Sequence, residues 1–344
     1  MKQIIKISKI FSMMSFILLA GCGGGSGGTS EEITTPIVTP PPVNNAPSCS
    51  STEYPNLKYC TVKHLDLDRE FYVYVPSNLN SYVPLLFNLH GYRRQALDFL
   101  GYSGFQSLAD QENFLVIYPQ GSILPSTGQP HWNDSGWTSE SPANDIEFIS
   151  SLIDWAYSEY LINLGRVYAT GKSNGGKMSY HLACNLGYRI AGVASVGGSM
   201  TPNTYDTCSP NQPTAIVHIH GIDDTVVPID GNGRSTPLTD MIDYWKNYNA
   251  CDQETIFALP DLNNDGYGGS LYMYHSCLNN VAVELFLMEQ IAHDWPTDLN
   301  DYDIIAADEI WNFLKQHDIN GRICLLYTSP SPRDRTRSRM PSSA

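Results

Sequence analysis

Arg166-Val-Tyr-Ala-Thr-Gly-Lys-Ser173-Asn-Gly-Gly-Lys-Met178 sets the reading of this chain. β-branched and aromatic residues run into Gly171-Lys172-Ser173-Asn174-Gly175, and a helical pattern continues through Met178, Tyr180, Leu182 and Ala183. The pattern predicts a strand, a sharp turn and a helix, with a serine at the apex. Glycines two before and two after Ser173 let the chain reverse tightly and keep the hydroxyl clear of side chains. Alone, G-x-S-x-G is a glycine-rich turn with a bystander serine. Between a strand and a helix, it makes Ser173 a candidate nucleophile.

Outward from this turn, strands and helices alternate. Phe71–Pro76 reads as a strand, and Leu85–His90 and Phe114–Pro119 as buried apolar ones. Phe105, Leu108 and Ala109 suggest a helix, and Phe148 to Ala156 carry a helical stripe; Gln120 to Asp145 reads as a long polar loop. Beyond the turn, 190–196, 215–220 and 283–288 read as strands, 256–259 and 271–275 as a hairpin, and 238–248 and about 303–317 as helices. This order predicts an α/β protein with a doubly wound, mostly parallel sheet and helices on both faces.

The 344 residues suffice for one large domain, expected over 49–323. Lys2, Lys6 and Lys9 precede an apolar run, Phe11 to Leu19, too short for a comfortable membrane span, so 1–22 reads as a signal peptide. Leu19-Ala-Gly-Cys22 resembles a bacterial lipobox, which makes Cys22 the expected lipidated residue; ordinary cleavage leaving a free Cys22 is the alternative. Residues 23–48 are Gly/Ser- and then Pro-rich and read as a flexible tether. Residues 324–344 have no periodicity and a sudden cluster of arginines, resembling a translated adapter read-through, and are set outside the domain. A net charge of −15 excludes nucleic acid as a partner. Membrane contact is expected only through the lipid anchor, and the protein is expected to be a monomer.

Without Cys22 and Cys324, six cysteines remain: Cys49, Cys60, Cys184, Cys208, Cys251 and Cys277. Behind a secretion signal they suggest three disulfides. The spacing leaves their pairing open; sequential pairing is the expectation because each bridge closes a local loop. With no C-x-x-C pair, zinc is not expected.

A serine hydroxyl needs a base, and the base needs an orienting acid. On this type of fold the chain order is Ser, acid, His, each beyond the end of a strand. After strand 215–220 come Asp223 and Asp224, either of which meets the requirement. After strand 283–288 comes His293; His275 lies within a hairpin strand. An oxyanion hole requires backbone N–H groups. Asn174 offers one, and the loop after an early strand, His90-Gly91-Tyr92, offers the other.

Taken together, these pieces resemble the family of secreted poly(3-hydroxybutyrate) depolymerase-like esterases, which also holds feruloyl and acetyl-xylan esterases. The matching stretches are 89–91, 166–176, 220–228, 293–296 and 309–313. The resemblance implies an α/β-hydrolase fold and a serine esterase acting through an acyl-enzyme on a polymeric or small ester. It also implies Ser173, Asp224 and His293 as triad, with the Tyr92 and Asn174 N–H groups as oxyanion hole. Aligning 220–228 on the family's H-G-x-x-D-x-x-V-P selects Asp224 over Asp223. The family's G-G-H-x-W-P-G reads Ile291-Ala-His-Asp-Trp-Pro-Thr297 here, without the flanking glycines. A serine peptidase on the same fold, and a non-catalytic surface-binding homologue, are the alternatives.

His90, Trp132, Trp137 and Trp295 are candidates to line an acyl or sugar subsite. Asp261-x-Asn263-x-Asp265-Gly266 begins like a calcium loop, but Tyr272 stands where the closing Glu would be, and the segment reads as a hairpin turn. His218 and His220 share a strand face expected to be buried and read as structural. No metal or cofactor is expected.

Overall fold

The computed structural model describes residues 46–262, 264–297 and 302–323. Cys22, the tether as far as residue 45, Asn263 and the 324–344 tail lie outside the described residues. The strands are β1 (Ser48–Ser51), β2 (Leu57–His64), β3 (Leu67–Tyr74), β4 (Leu85–Leu89), β5 (Leu115–Pro119), β6 (Ser122–Leu124), β7 (Gln129–His131), β8 (Val167–Lys172), β9 (Gly192–Val196), β10 (Ala215–Gly221), β11 (Gln253–Leu259), β12 (Gly269–His275), β13 (Val283–Met288), β14 (His317–Asp318) and β15 (Gly321–Arg322). The helices are α1 (Ala96–Ser103), α2 (Phe105–Glu112), α3 (Asp145–Tyr160), α4 (Asn174–Asn185), α5 (Pro202–Thr207), α6 (Leu238–Tyr248) and α7 (Ala306–Leu314).

Eleven strands form one sheet in the order β1-β2-β3-β5-β4-β8-β9-β10-β13-β12-β11. From β5 through β13 the pairings are parallel, and antiparallel strands finish both edges. β4, β5, β9 and β10 are buried along their whole length, which is why they read as near-continuous apolar runs. Alternation then feeds two cores. Leu85, Phe87 and Leu89 join residues of α3, α4 and α6 on one face, whereas Leu86 joins residues of α1, α2 and α7 on the other.

Four features were not legible in the sequence. β1 and β2 extend the sheet, β6 and β7 form a hairpin inside the expected loop, and α1 and α5 are additional short helices. β1, β6 and β7 run for only three or four residues and α1 and α5 for eight and six, too short for either periodicity to stand out. α7 stops at Leu314, short of the expected 317, because the chain turns into the β14–β15 hairpin. The disulfides join Cys49 to Cys60, Cys184 to Cys208 and Cys251 to Cys277. The first lies across the β1–β2 pair, where the two cysteines are register partners. Three bridges suit an oxidising compartment outside the cytoplasm. Among the described residues no helix is long and apolar enough to cross a membrane.

Candidate active site

Ser173 sits between β8 and α4 with φ 56° and ψ −117°. A non-glycine residue held there carries backbone strain, on the order of 1–3 kcal/mol, which the surroundings must sustain. They do so at close range. A Cβ on Gly175 would lie 2.1 Å from the Leu89 carbonyl oxygen, so only glycine lets α4 start this near β4. The Ser173 N–H donates to the Val196 carbonyl at 2.9 Å, and its own carbonyl accepts from Lys177 N–H at 2.9 Å.

The acid is Asp224. It is buried, whereas neighbouring Asp223 is exposed. Asp224 Oδ1 accepts the N–H groups of Val226 (2.9 Å) and Val227 (2.8 Å), and Oδ2 lies 2.6 Å from His293 Nδ1. Burial pushes this carboxyl up. The bonds from His293 and the Val227 N–H, with the nearby imidazoles, outweigh it and hold the group below its ordinary value. Because Nδ1 faces Asp224, Nε2 is the nitrogen left for the serine. Among the described residues no hydrogen bond joins Ser173 to His293, a gap common in sites without substrate. Gly197 connects the two sides. It has φ 59°, and a Cβ there would lie 3.2 Å from His293 Nδ1 and 3.3 Å from Asp224 Oδ2. The sequence reading assigned Gly197 no role.

Behind Asp224, Tyr180 O–H, His218 and His220 form a buried chain. Tyr180 Oη to His218 Nδ1, His218 Nε2 to His220 Nδ1 and His220 Nε2 to the Val227 carbonyl are each 2.8 Å. Running from the tyrosine hydroxyl to a carbonyl acceptor, this chain fixes both tautomers with neutral imidazoles. Burial likewise lowers both histidines' proton affinity. Their place is structural, bracing the loop that carries Asp224.

Gly91 packs against the candidate nucleophile: a Cβ there would lie 3.5 Å from Ser173 Cβ. The next N–H, that of Tyr92, and the first N–H of α4, that of Asn174, donate to no other described residue. Trp132 joins these two arms. Its Nε1–H donates to the His90 carbonyl at 2.9 Å, and its N–H donates to Asn174 Oδ1 at 2.7 Å. Asn174 Nδ2 in turn donates to the Trp132 carbonyl (3.1 Å) and to Asp134 Oδ2 (2.8 Å).

Three of the four subsite candidates are corrected by burial. His90, Trp132 and Trp295 are all 0 % exposed and cannot touch a substrate in this structure. His90 Nε2 accepts the Gly121 N–H at 2.9 Å, so Nδ1–H points to the Gly91 carbonyl, and burial pushes the ring down to about 4. Trp295 packs edge-on against Phe99 and Phe105. Trp137 is half-buried, meets Tyr92 edge-to-face at 4.8 Å and lines a cleft of about 500 Å³.

The histidine loop, lacking its glycines, is held by other means. Asp294 Oδ1 accepts the Tyr102 hydroxyl at 2.6 Å, Oδ2 accepts the Tyr302 hydroxyl at 2.9 Å, and Lys172 Nζ lies 3.3 Å from Oδ1. The residue before the candidate nucleophile therefore pairs with the residue after the candidate base. In the β11–β12 turn, the Asp261 and Asp265 carboxylates accept N–H groups of Asp265, Gly266 and Tyr267. Those two carboxylates and that of Asp303 converge within 4.8 Å, with Asp261 and Asp265 exposed and Asp303 half-buried.

A doubly wound sheet with a strained serine at a strand–helix elbow, and an Asp–His pair beyond two later strands, defines the α/β-hydrolase architecture. The chain has the α/β-hydrolase fold. Residues 84–249 match the phospholipase/carboxylesterase family model. The bifunctional acetylxylan esterase/xylanase XynS20E of Neocallimastix patriciarum is 28% identical over 255 residues, covering 74% of this chain and 34% of that protein. Probable feruloyl esterase C of Aspergillus niger is 25% identical over 278 residues, covering 78% of this chain and 90% of that one. The chain thus spans about a third of the first relative's length (34%) and nearly all of the second's (90%). Among solved structures, the acetyl xylan esterase from Aspergillus awamori superposes with TM-score 0.53 at 16% identity, covering 72% of this chain and 94% of that one. The S-formylglutathione hydrolase from Agrobacterium tumefaciens does so with TM-score 0.50 at 12% identity, covering 78% and 99%.

Proposed function

We propose that this protein is a serine carboxylic ester hydrolase working outside the cytoplasm on acetyl or feruloyl esters of a polysaccharide. The observation that carries the reading is the Asp224–His293 contact at 2.6 Å, set across Gly197 from the Ser173 elbow. In the mechanism, His293 Nε2 takes the Ser173 proton as Oγ attacks the ester carbonyl. The Tyr92 and Asn174 N–H groups stabilise the oxyanion, and the alcohol leaves with the proton from His293. Water, activated by the same imidazole, then releases the acid. Asp224 holds the tautomer and stabilises the imidazolium.

Polysaccharide ester is favoured over polyhydroxyalkanoate because the relatives' names are those of acetylxylan and feruloyl esterases. An anchor at Cys22 and a tether to residue 48 suit a substrate too large to enter a cell. The test is a hydrolysis panel of p-nitrophenyl acetate, methyl ferulate, acetylated xylan and a polyhydroxybutyrate film, with Ser173→Ala alongside. The expected outcome is turnover of the first three and a loss of roughly 10⁴-fold or more in the variant. Cleavage of none, or wild-type turnover by Ser173→Ala, refutes the proposal. A polyester-only profile moves the substrate class.

A further inference from the structure

Four side chains line up beside the candidate oxyanion loop. The Arg93 guanidinium lies 5.9 Å from the Tyr92 ring, Tyr92 meets Trp137 edge-on at 4.8 Å, and the Arg234 guanidinium lies 4.9 Å from the Trp137 ring. Trp137 and Arg234 line the cleft of about 500 Å³, whose other walls include Ser135, Pro202 and Asn203. Arg93 and Arg234 are exposed, and neither guanidinium has a carboxylate or other side-chain hydrogen-bond partner among the described residues. That is unusual company in a chain with 35 acidic and 20 basic residues, where carboxylates to pair with are plentiful. Stacking on an aromatic face holds a guanidinium in place while leaving its in-plane N–H fork free, the geometry that takes a carboxylate in two parallel hydrogen bonds. The cleft is tied to the elbow through Asp134: Gly136 N–H donates to Asp134 Oδ1 at 3.1 Å, and Asp134 Oδ2 accepts from Asn174 Nδ2, next to Ser173, at 2.8 Å.

We propose that Arg93 and Arg234, set on the Tyr92–Trp137 pair, form a subsite for a substrate carboxylate carried on the polymer near the scissile ester, as in an acetylated xylan bearing uronic acid side groups. The inference deepens the esterase reading and rests on it. A neutral acetylated chain has nothing for these two forks to hold, whereas a uronate next to the ester does. The two cations also raise the local concentration of an anionic polymer that the rest of this acidic surface repels.

The experiment compares acetylated glucuronoxylan with the same polymer after reduction of its carboxyl groups to alcohols. KM and kcat are measured for the wild type, Arg93→Gln, Arg234→Gln and the double variant, in low and high salt. The expected result is a wild-type KM about tenfold lower on the carboxylated polymer, equivalent to one charge-assisted contact at an exposed site. That ratio shrinks toward one in high salt and in the double variant. Equal KM values for the two polymers in the wild type, or an unchanged ratio in the double variant, overturn the proposal. A hydroxybutyrate oligomer with a free terminal carboxylate, set against its methyl ester, is the second arm; a preference there alone overturns the polysaccharide source. If the wild type leaves p-nitrophenyl acetate intact, the esterase reading fails by itself. Calorimetric binding of uronate-bearing xylo-oligosaccharides to the same four proteins then decides the subsite: arginine-dependent binding supports it and arginine-independent binding overturns it.

Discussion

Lys172→Met, Asp294→Asn and the double variant test whether this pair aligns the candidate base His293 without the histidine-loop glycines. At 3.3 Å the two charges attract by ~5 kcal/mol gross at an effective dielectric of 20. Most of that does not survive as net stability. The two side chains keep 19% and 32% exposure, and burial of Lys172 lowers its proton affinity despite the neighbouring carboxylate. Pairs of this exposure contribute about 1 kcal/mol. The expected coupling from the urea-unfolding cycle is therefore about 1 kcal/mol, reduced in 1 M salt, where the screening length falls to about 3 Å. Asp294→Asn is expected to cost more alone, since Oδ1 and Oδ2 also accept the Tyr102 and Tyr302 hydroxyls. Freeing the loop beside His293 should lower kcat for p-nitrophenyl acetate about tenfold in either single variant with KM nearly unchanged, about 1.4 kcal/mol of barrier. The double variant should be little worse than Asp294→Asn. Coupling below about 0.3 kcal/mol together with unchanged kcat in Lys172→Met would refute the idea that this pair positions the base.

Asp224→Asn should fold but lose on the order of 10⁴ in kcat, since the amide favours the wrong imidazole tautomer; this magnitude comes from the serine-protease precedent, and stopped-flow acylation measures it. Gly197→Ala places a Cβ 3.2 Å from His293 Nδ1 at φ 59°. It should cost about 1–2 kcal/mol of stability and at least tenfold in kcat, read by thermal unfolding and turnover. Trp132→Phe removes the indole bond to the His90 carbonyl, so kcat is expected to fall several-fold with KM held. Burial pushes His90, His181 and His317 down to about 4, below an unfolded value near 6.5. Between those values the unfolded chain binds more protons, so stability is fully present above about pH 6.5 and falls as pH drops. Glu284, pushed up to about 7 chiefly by burial, acts in the opposite sense with about one proton. Three histidines outweigh the one carboxyl, so stability is expected to fall as pH drops from 7 to 5, and a flat urea-midpoint profile over that range would contradict it.

The parallel centre of the sheet and the elbow were legible in the amino-acid pattern. Strands buried on both faces must be apolar throughout, and a turn that presents a serine against a neighbouring strand must have glycines around it. A candidate serine, acid and histidine were also legible in that order, because each follows a strand visible as such, although strand position alone left Asp223 and Asp224 equal. Which aromatic residues line a cleft and which are buried emerges only from the three-dimensional packing. Trp132, Trp137 and Trp295 look alike in the chain. Two are sealed inside by helices and loops from distant segments, while Trp137 lies at the edge of a cleft between Tyr92 and Arg234. Lys172 was likewise unreadable: its carboxylate partner is 122 residues away, and that separation closes only when β8 and the loop after β13 fold beside each other.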